Sequence, residues 1–368
     1  MSRTFLLVQT VSSCLFGAPL SSSSSKLRYR SPMATSVRIA VVGDVHDCWN
    51  LQEDTKALQL LKPDLVLFTG DFGNENVELV RSIADLEIAK AVILGNHDAW
   101  STQQFAQRRK DRVQLQLECL GEEHVGYRRL DYPMLKLSIV GGRPFSSGGQ
   151  QLFRKRLLAT RLEFPVRYGV HDMDGSSKRI YEAALGTQED HSVIFLAHNG
   201  PTGLGSNVND ICGRDWVFGG GDHGDPDLAH AISRLKETTK LSIPLVVFGH
   251  MHKDLADGNG LRKMIVVGAD NTVYLNGAIV PRVKELGNEH ATYSRSFMNN
   301  ETPLSNQNAE GTVRAFTLVE MLDGKLEKIV ETWVSVIGQR AALEEESIIY
   351  GRGPEALRAL CSGLSFNN

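Results

Sequence analysis

Residues 91–98, Ala-Val-Ile-Leu-Gly-Asn-His-Asp, carry the strongest constraint on the fold of this chain. Four apolar residues suit a short buried strand, and Gly95 stops it where a turn without a side chain is needed. An amide, an imidazole and a carboxylate follow at once. In open α/β sheets ligands bind in the crevice beyond the carboxyl ends of the strands, which is where these side chains belong. Residues 37–43 are another apolar run ended by glycine, and residues 64–69 a third, ended by Gly70. Between them, residues 50–61 set Leu51, Leu58 and Leu61 on one helical face, with Asn50 as cap and Pro63 as stop. Residues 75–90 carry Val77, Val80 and Ala84 at helical spacing. Strand–helix–strand–helix–strand in about 60 residues forces right-handed crossovers and a parallel arrangement.

Further along, a third helix is expected across residues 102–120, where Phe105, Val113, Leu117 and Leu120 share a face. Residues 134–142 and 191–197 read as strands, with 161–187 between them less legible. Residues 199–225 are dense in glycine and asparagine, the composition of a functional or mobile loop. Residues 243–249 are a buried strand run, and 263–267 and 272–275 are short ones. Residues 286–311 read as a polar loop or insertion. Residues 312–321 and 326–334 flank Asp323-Gly324, a hairpin signal. There is no internal repeat, and one sandwich-like domain over 37–335 is expected, followed by a C-terminal extension, 336–368.

The chain has 368 residues, 42% hydrophobic and 23% charged, enough for a sizeable core. Its net charge of −3 gives no general reason to expect nucleic acid or an acidic membrane as partner. No run is long and apolar enough for a membrane helix. The five cysteines are scattered without a Cys-x-x-Cys pair, which argues for reduced structural thiols over a disulfide framework or thiolate zinc site. Residues 1–36 contain no Asp or Glu, carry Arg3, Lys26, Arg28 and Arg30, and are rich in serine. That composition favours an organelle transit peptide, hence a plastid address, over a secretory signal or a plain tail of a cytoplasmic protein.

The apolar runs end in a recurrent chemistry: Gly43-Asp44-Val45-His46, Gly70-Asp71, Gly95-Asn96-His97-Asp98, Ala197-His198-Asn199 and Gly249-His250-Met251-His252. Oxygen and nitrogen donors without sulfur suit Mn, Fe, Zn or Ni in place of a structural zinc. An extended backbone directs both side chains of Asp44-x-His46, and of His250-x-His252, to one side. So many donors exceed one ion with open positions, and fit two ions roughly 3.5–4 Å apart that share a carboxylate.

These five blocks, in this order, resemble the calcineurin-like metallophosphoesterase superfamily, over residues 39–252 and on through the closing strands. The resemblance implies a four-layer α/β/β/α sandwich of two sheets flanked by helices, acting as a dinuclear-metal-dependent hydrolase of phosphate esters by in-line attack of a metal-bridging hydroxide. It implies that Asp44, His46 and His252 hold one metal, Asn96, His198 and His250 the other, and that Asp71 bridges them. The metals would be two of Mn, Fe or Zn. His97 would assist the leaving oxygen, with Asp98 holding its ring. A non-catalytic metal-binding scaffold on the same fold is the alternative, though such modules lose ligands or the catalytic histidine and this sequence keeps them all. One departure is Asp47, where the family commonly has glycine; its carboxylate would face solvent or favour a positive substrate group.

Arg143, in Gly141-Gly142-Arg143-Pro144, could reach a substrate phosphate, since a guanidinium matches phosphate oxygens bidentately. A turn-stabilising or solvent-facing arginine fits equally. Among the six histidines outside the motifs (His124, His171, His191, His223, His230 and His290), surface or structural roles are expected, except that His223 sits in a glycine-rich loop after His198 and is a substrate-binding candidate. Gly203-x-Gly205 lacks a third glycine and is no dinucleotide fingerprint. Gly-Arg-Pro-Phe-Ser at 142–146 and Val-Tyr-Leu-Asn-Gly-Ala at 273–278 are similar to a cyanobacterial and plant branch of uncharacterised metallophosphatases, which agrees with a plastid address.

Overall fold

Period-two burial explains how the strands sort into layers. In β1 (Ser36–Val42), Val37, Ile39 and Val41 belong to one apolar cluster while Ala40 and Val42 belong to another. Successive side chains of a strand face opposite sides, so β1 lies between two layers. The computed structural model describes residues 35–352 apart from 107, 162–167, 257, 259 and 287–310. The expected leader lies outside these residues except for Thr35 and Ser36, and the expected 286–311 insertion lies outside them except at its two ends. Leu286 N donates to Gly311 O across it, at 3.0 Å.

The chain continues through α1 (Leu51–Leu61), β2 (Leu65–Phe68), α2 (Val77–Ala84), β3 (Lys90–Val92), α3 (Arg112–Leu120), β4 (Arg129–Tyr132) and β5 (Leu137–Gly141). After α4 (Lys155–Ala159) and α5 (Met173–Ala184) come β6 (Ser192–Leu196), α6 (Pro226–Thr238), β7 (Ser242–Phe248), β8 (Ile265–Val267) and β9 (Val273–Asn276). The closing strands are β10 (Val283–Glu285), β11 (Thr312–Leu322), β12 (Lys325–Ile337) and β13 (Arg340–Gly351). One sheet has the order β13-β12-β11-β1-β2-β3, with β10 on β11; the other has β4-β5-β6-β7-β9-β8. The expected parallel core is present: β1, β2 and β3 are parallel, as are β5, β6, β7 and β9.

The inner faces of the two sheets meet. Ile39, Val41, Leu65, Leu67, Ala91 and Ile93 of the first share a buried cluster with Leu137, Ile139, Ile194, Leu196, Leu245 and Val247 of the second. The outer faces carry helices: Val66 and Phe68 cluster with Leu58, Val80 and Leu117, and Phe195 and Phe248 with Ile180 and Leu235. Burial of a Leu, Ile, Val or Phe side chain is worth about 1.5–3 kcal/mol relative to exposure, so two such interfaces supply the fold's main driving force. No helix among the described residues is long and apolar enough to cross a membrane.

Capping decides where several elements begin. Asn50 accepts from Gln52 N and Glu53 N and starts α1 as expected. The helix expected across 102–120 is shorter: Asp111 accepts from Gln114 N, so α3 starts there, while Ser101 N and Thr102 N donate to the buried Glu75 carboxylate instead. Asn76 likewise caps α2, which ends at Ala84 and not near residue 90. Proline at the first turn opens α6, a helix the sequence reading did not find. The Asp323-Gly324 turn has φ 48° and 73°, the positive pair of a type I′ hairpin. The sheet also runs past residue 335: β12 ends at Ile337, and β13 pairs with it along its length, where an extension was expected.

Candidate metal centre

All five motif blocks lie at the carboxyl ends of parallel strands, after β1, β2, β3, β6 and β7. Because the parallel run β1-β2-β3 of one sheet faces the parallel run β5-β6-β7-β9 of the other, these ends converge on one rim of the sandwich. Hydrogen bonds join the sheets there. The carboxylate of Asp44 accepts from His250 N at 3.0 and 2.9 Å, and Thr69 O accepts from His198 Nδ1 at 2.7 Å. Gly95 and Gly249 have no room for a side chain: a Cβ at Gly95 would lie 2.3 Å from Asp71 Oδ1, and one at Gly249 2.1 Å from Asp44 Oδ1.

Three donor groups have their ligand atoms within 4.8 Å of one another: Asp44, His46 and His252; Asp71, His198 and His250; and His46, Asp71 and His97. Asn96 joins the second through Oδ1, 2.9 Å from His198 Nε2. The Nε2 atoms of His46 and His252 face each other at 3.0 Å. The protein thus brings together every residue that the motifs nominated as a ligand. Four of those seven, Asp44, His46, Asp71 and His250, have positive φ, between 33° and 68°. Such backbone is unfavourable for residues with side chains and persists where surrounding bonds fix it.

Backbone hydrogen bonds hold these conformations in place. His46 N donates to Asp71 O and Asp47 N to Phe72 O, both at 2.8 Å. Asp98 is the clamp beneath: its carboxylate accepts from Asp71 N, Phe72 N and Gly95 N at 2.7–2.9 Å. This corrects the expectation that Asp98 holds the His97 ring. Its side chain is fully buried and turned toward backbone, while Asn74 Oδ1 accepts from His97 Nδ1 at 2.7 Å. The other side of His97 is covered by Trp100, stacked at 4.7 Å. Asn74 and Trp100 were missed because a polar turn residue and a lone aromatic carry no spacing signal.

The donor chemistry fits a cation. Thr69 O can only accept, so His198 Nδ1 carries the proton at their 2.7 Å contact and Nε2 is left to bind. That Nε2 faces oxygens: Asp71 Oδ1 at 3.3 Å as well as Asn96. Burial opposes a charge on His198, yet Asp71 and Asp44 outweigh it and raise its pKa to about 10. Burial likewise opposes ionisation of Asp71, but His198, His97 and His46 hold its carboxyl far below the usual range. Burial, and then the charge on His198, pushes His250 down to about 3. Carboxylates that grip a proton on a neighbouring ring so firmly create a field that a divalent ion satisfies.

Arg143 is a second correction. Its side chain is fully buried, with ion pairs to Asp225 at 2.7 Å and Asp227 at 3.1 Å and a bond to Gln151 O. It ties the segment after β5 to the start of α6 and has no path to a substrate. Arg143→Met is expected to lower stability by about 3–5 kcal/mol by stranding two buried carboxylates. The check is the urea midpoint; a phosphate contact would instead raise KM and leave the midpoint in place. His223 lines the same cavity as His97 and His250; it is half-buried, donates from Nε2 to Ser147 O at 2.7 Å, and is stacked 5.9 Å from His250. Asp47 is exposed and accepts from Asn76 Nδ2; its φ of 62° is a conformation that glycine adopts freely. His191 is a buried, hydrogen-bonded structural histidine, 2.9 Å from Ser138 Oγ, whereas His124 is buried with neither ring nitrogen hydrogen-bonded among the described residues. A cavity of about 380 Å³ opens over the centre, lined by Asp71, His97, His250 and His252 on its inner side and by Trp216 and Asp254 farther out.

Residues 37–254 match the family model described as calcineurin-like phosphoesterase. No curated protein matches the sequence. Among solved structures, the chain is similar to a dimetal phosphatase from Danio rerio, at 8% identity and a TM-score of 0.37, covering 86% of this chain and 99% of that one. It is also similar to a conserved uncharacterized protein, a predicted phosphoesterase, from Streptococcus pneumoniae, at 11% identity and a TM-score of 0.29, covering 85% and 98%.

Proposed function

The chain belongs to the calcineurin-like phosphoesterase family, and from that premise we propose that it hydrolyses phosphate esters at a two-metal centre on the sandwich rim. One observation carries the reading: Asp71 is close to His46 on one side and to His198 and His250 on the other, so one carboxylate serves two donor groups. Asp44, His46 and His252 would hold one ion, Asn96, His198 and His250 the other, and Asp71 would serve both. When bound, two such ions would supply a nucleophile near neutral pH and offset phosphoryl charge.

The protein's own groups do the rest. Thr69 O fixes the His198 tautomer, and Asp98 holds the backbone of Asp71 and Gly95 so that the donors keep their spacing. His97, oriented by Asn74 and Trp100, gives a proton to the leaving oxygen, an effect worth about 10²–10⁴-fold.

The test is reconstitution with Mn, Fe or Zn followed by a screen of monoesters, diesters, nucleotides and phosphopeptides. Two metal equivalents per chain and turnover abolished by a chelator are expected. A protein loaded with two metals that hydrolyses none of these would support the non-catalytic scaffold instead.

A further inference from the structure

We propose that the leaving group of this chain's substrate carries a flat aromatic ring and that Trp216 is the face on which it stacks. The inference rests on the phosphoesterase reading above and names the substrate class for that same centre. Trp216 lines the cavity that His97, His250 and His252 floor. It lies two ring contacts from the centre, with its indole 4.8 Å from His223 in perpendicular contact and His223 stacked on His250. More than half of its surface, 55%, is open.

The loop that carries it is anchored. Asp215, the preceding residue, pairs with Arg262 at 3.0 Å and accepts from Ala256 N at 2.8 Å. Arg262, itself buried, donates to the carbonyl oxygens of Asp210 and Gly213 in the same loop and to that of His252. One guanidinium therefore sets the position of Trp216 against a candidate ligand. An exposed indole held in this way at a cavity wall is a stacking platform, since every flat π system can use it.

Size and charge narrow the class. A cavity of about 380 Å³ is within the range of small-molecule sites and suits a ligand of mononucleotide dimensions over a folded phosphoprotein. The outer wall presents Asp254, and Arg262, the one lysine or arginine among the described residues that line the cavity, is engaged by Asp215 and backbone carbonyls. That wall repels a second phosphate beyond the ring. The substrate is accordingly a ring-bearing ester of a single phosphate, nucleotide or aryl.

The metal-loaded full chain tests this with adenosine 5′-monophosphate, glycerol 1-phosphate and phenyl phosphate. The first two share an alkoxide leaving group, so their ratio of kcat/KM reports the ring. Trp216→Leu is expected to cut that ratio about tenfold, mainly through KM, while Trp216→Phe keeps it within about threefold. Whichever ring ester loses more in Trp216→Leu identifies the ring as nucleobase or aryl. Binding gives an independent readout: wild type should prefer phenylphosphonate to methylphosphonate about tenfold, and Trp216→Leu should not. A ratio and a phosphonate preference both unchanged in Trp216→Leu would overturn the proposal. Hydrolysis of none of the three esters would instead overturn the phosphoesterase reading, and the phosphonate arm would still decide the role of Trp216.

Discussion

Asp71→Asn is expected to take metal and activity away together: metal content falls from two equivalents to one or fewer, and turnover drops by about 10³-fold or more. That exceeds the 10–100-fold loss typical of groups that merely orient ligands. The reason is position. Asp71 Oδ1 is 3.3 Å from His198 Nε2 and accepts from His97 N at 2.9 Å, and the same carboxylate belongs to two of the three donor groups. An amide fills the space but removes the charge, and one of its two atoms is no longer a donor to a cation. Metal analysis alongside turnover is the check. Two metals retained with near-normal turnover would show that Asp71 does not bridge.

His97→Ala is expected to separate binding from chemistry. If His97 donates a proton, both metals stay and turnover on alkyl phosphates falls by about 10²–10⁴-fold, with a smaller loss on an aryl ester whose phenolate leaves unprotonated. The geometry makes this a sharp test, because His97 also lies within ligand distance of His46 and Asp71. Loss of one metal equivalent, with equal rate losses for both esters, would make it a ligand. Asn74→Ala should give a weaker version of the proton-transfer defect, since Asn74 is the group on the His97 ring. Asp98→Asn belongs to a different class of effect. It weakens the clamp on Asp71 N, Phe72 N and Gly95 N, and so disturbs the spacing of the donors.

The sequence made the parallel cores and the donor set legible for a common reason: both are written in short-range patterns. An apolar run, a glycine and a polar residue fit within eight positions, and the strand-end rule then says where the polar residue goes. What stayed illegible was decided at long range. Arg143 looks like an anion binder until Asp225 and Asp227, some eighty residues away, are seen to enclose it. Asp98 sits beside His97 in sequence, yet the turn at His97–Ala99 points its carboxylate inward to three backbone amides. β13 was missed because its outward run of Glu344, Glu345 and Glu346 reads as solvated chain; only its ladder with β12 makes it a strand. Helix α3 was overextended because periodicity does not register that Glu75 captures the amides of Ser101 and Thr102.

The positive φ values around the centre set its chemistry against the comfort of its backbone. Left-handed conformation in residues with side chains costs about 1 kcal/mol or more each. A search for stabilising substitutions guided by backbone alone would nominate glycine at Asp44, His46, Asp71 and His250, and each of those changes deletes a donor. Asp47 has the same conformation and belongs to none of the three donor groups, so it is a position on this rim where relaxing the chain and keeping the donors are compatible aims.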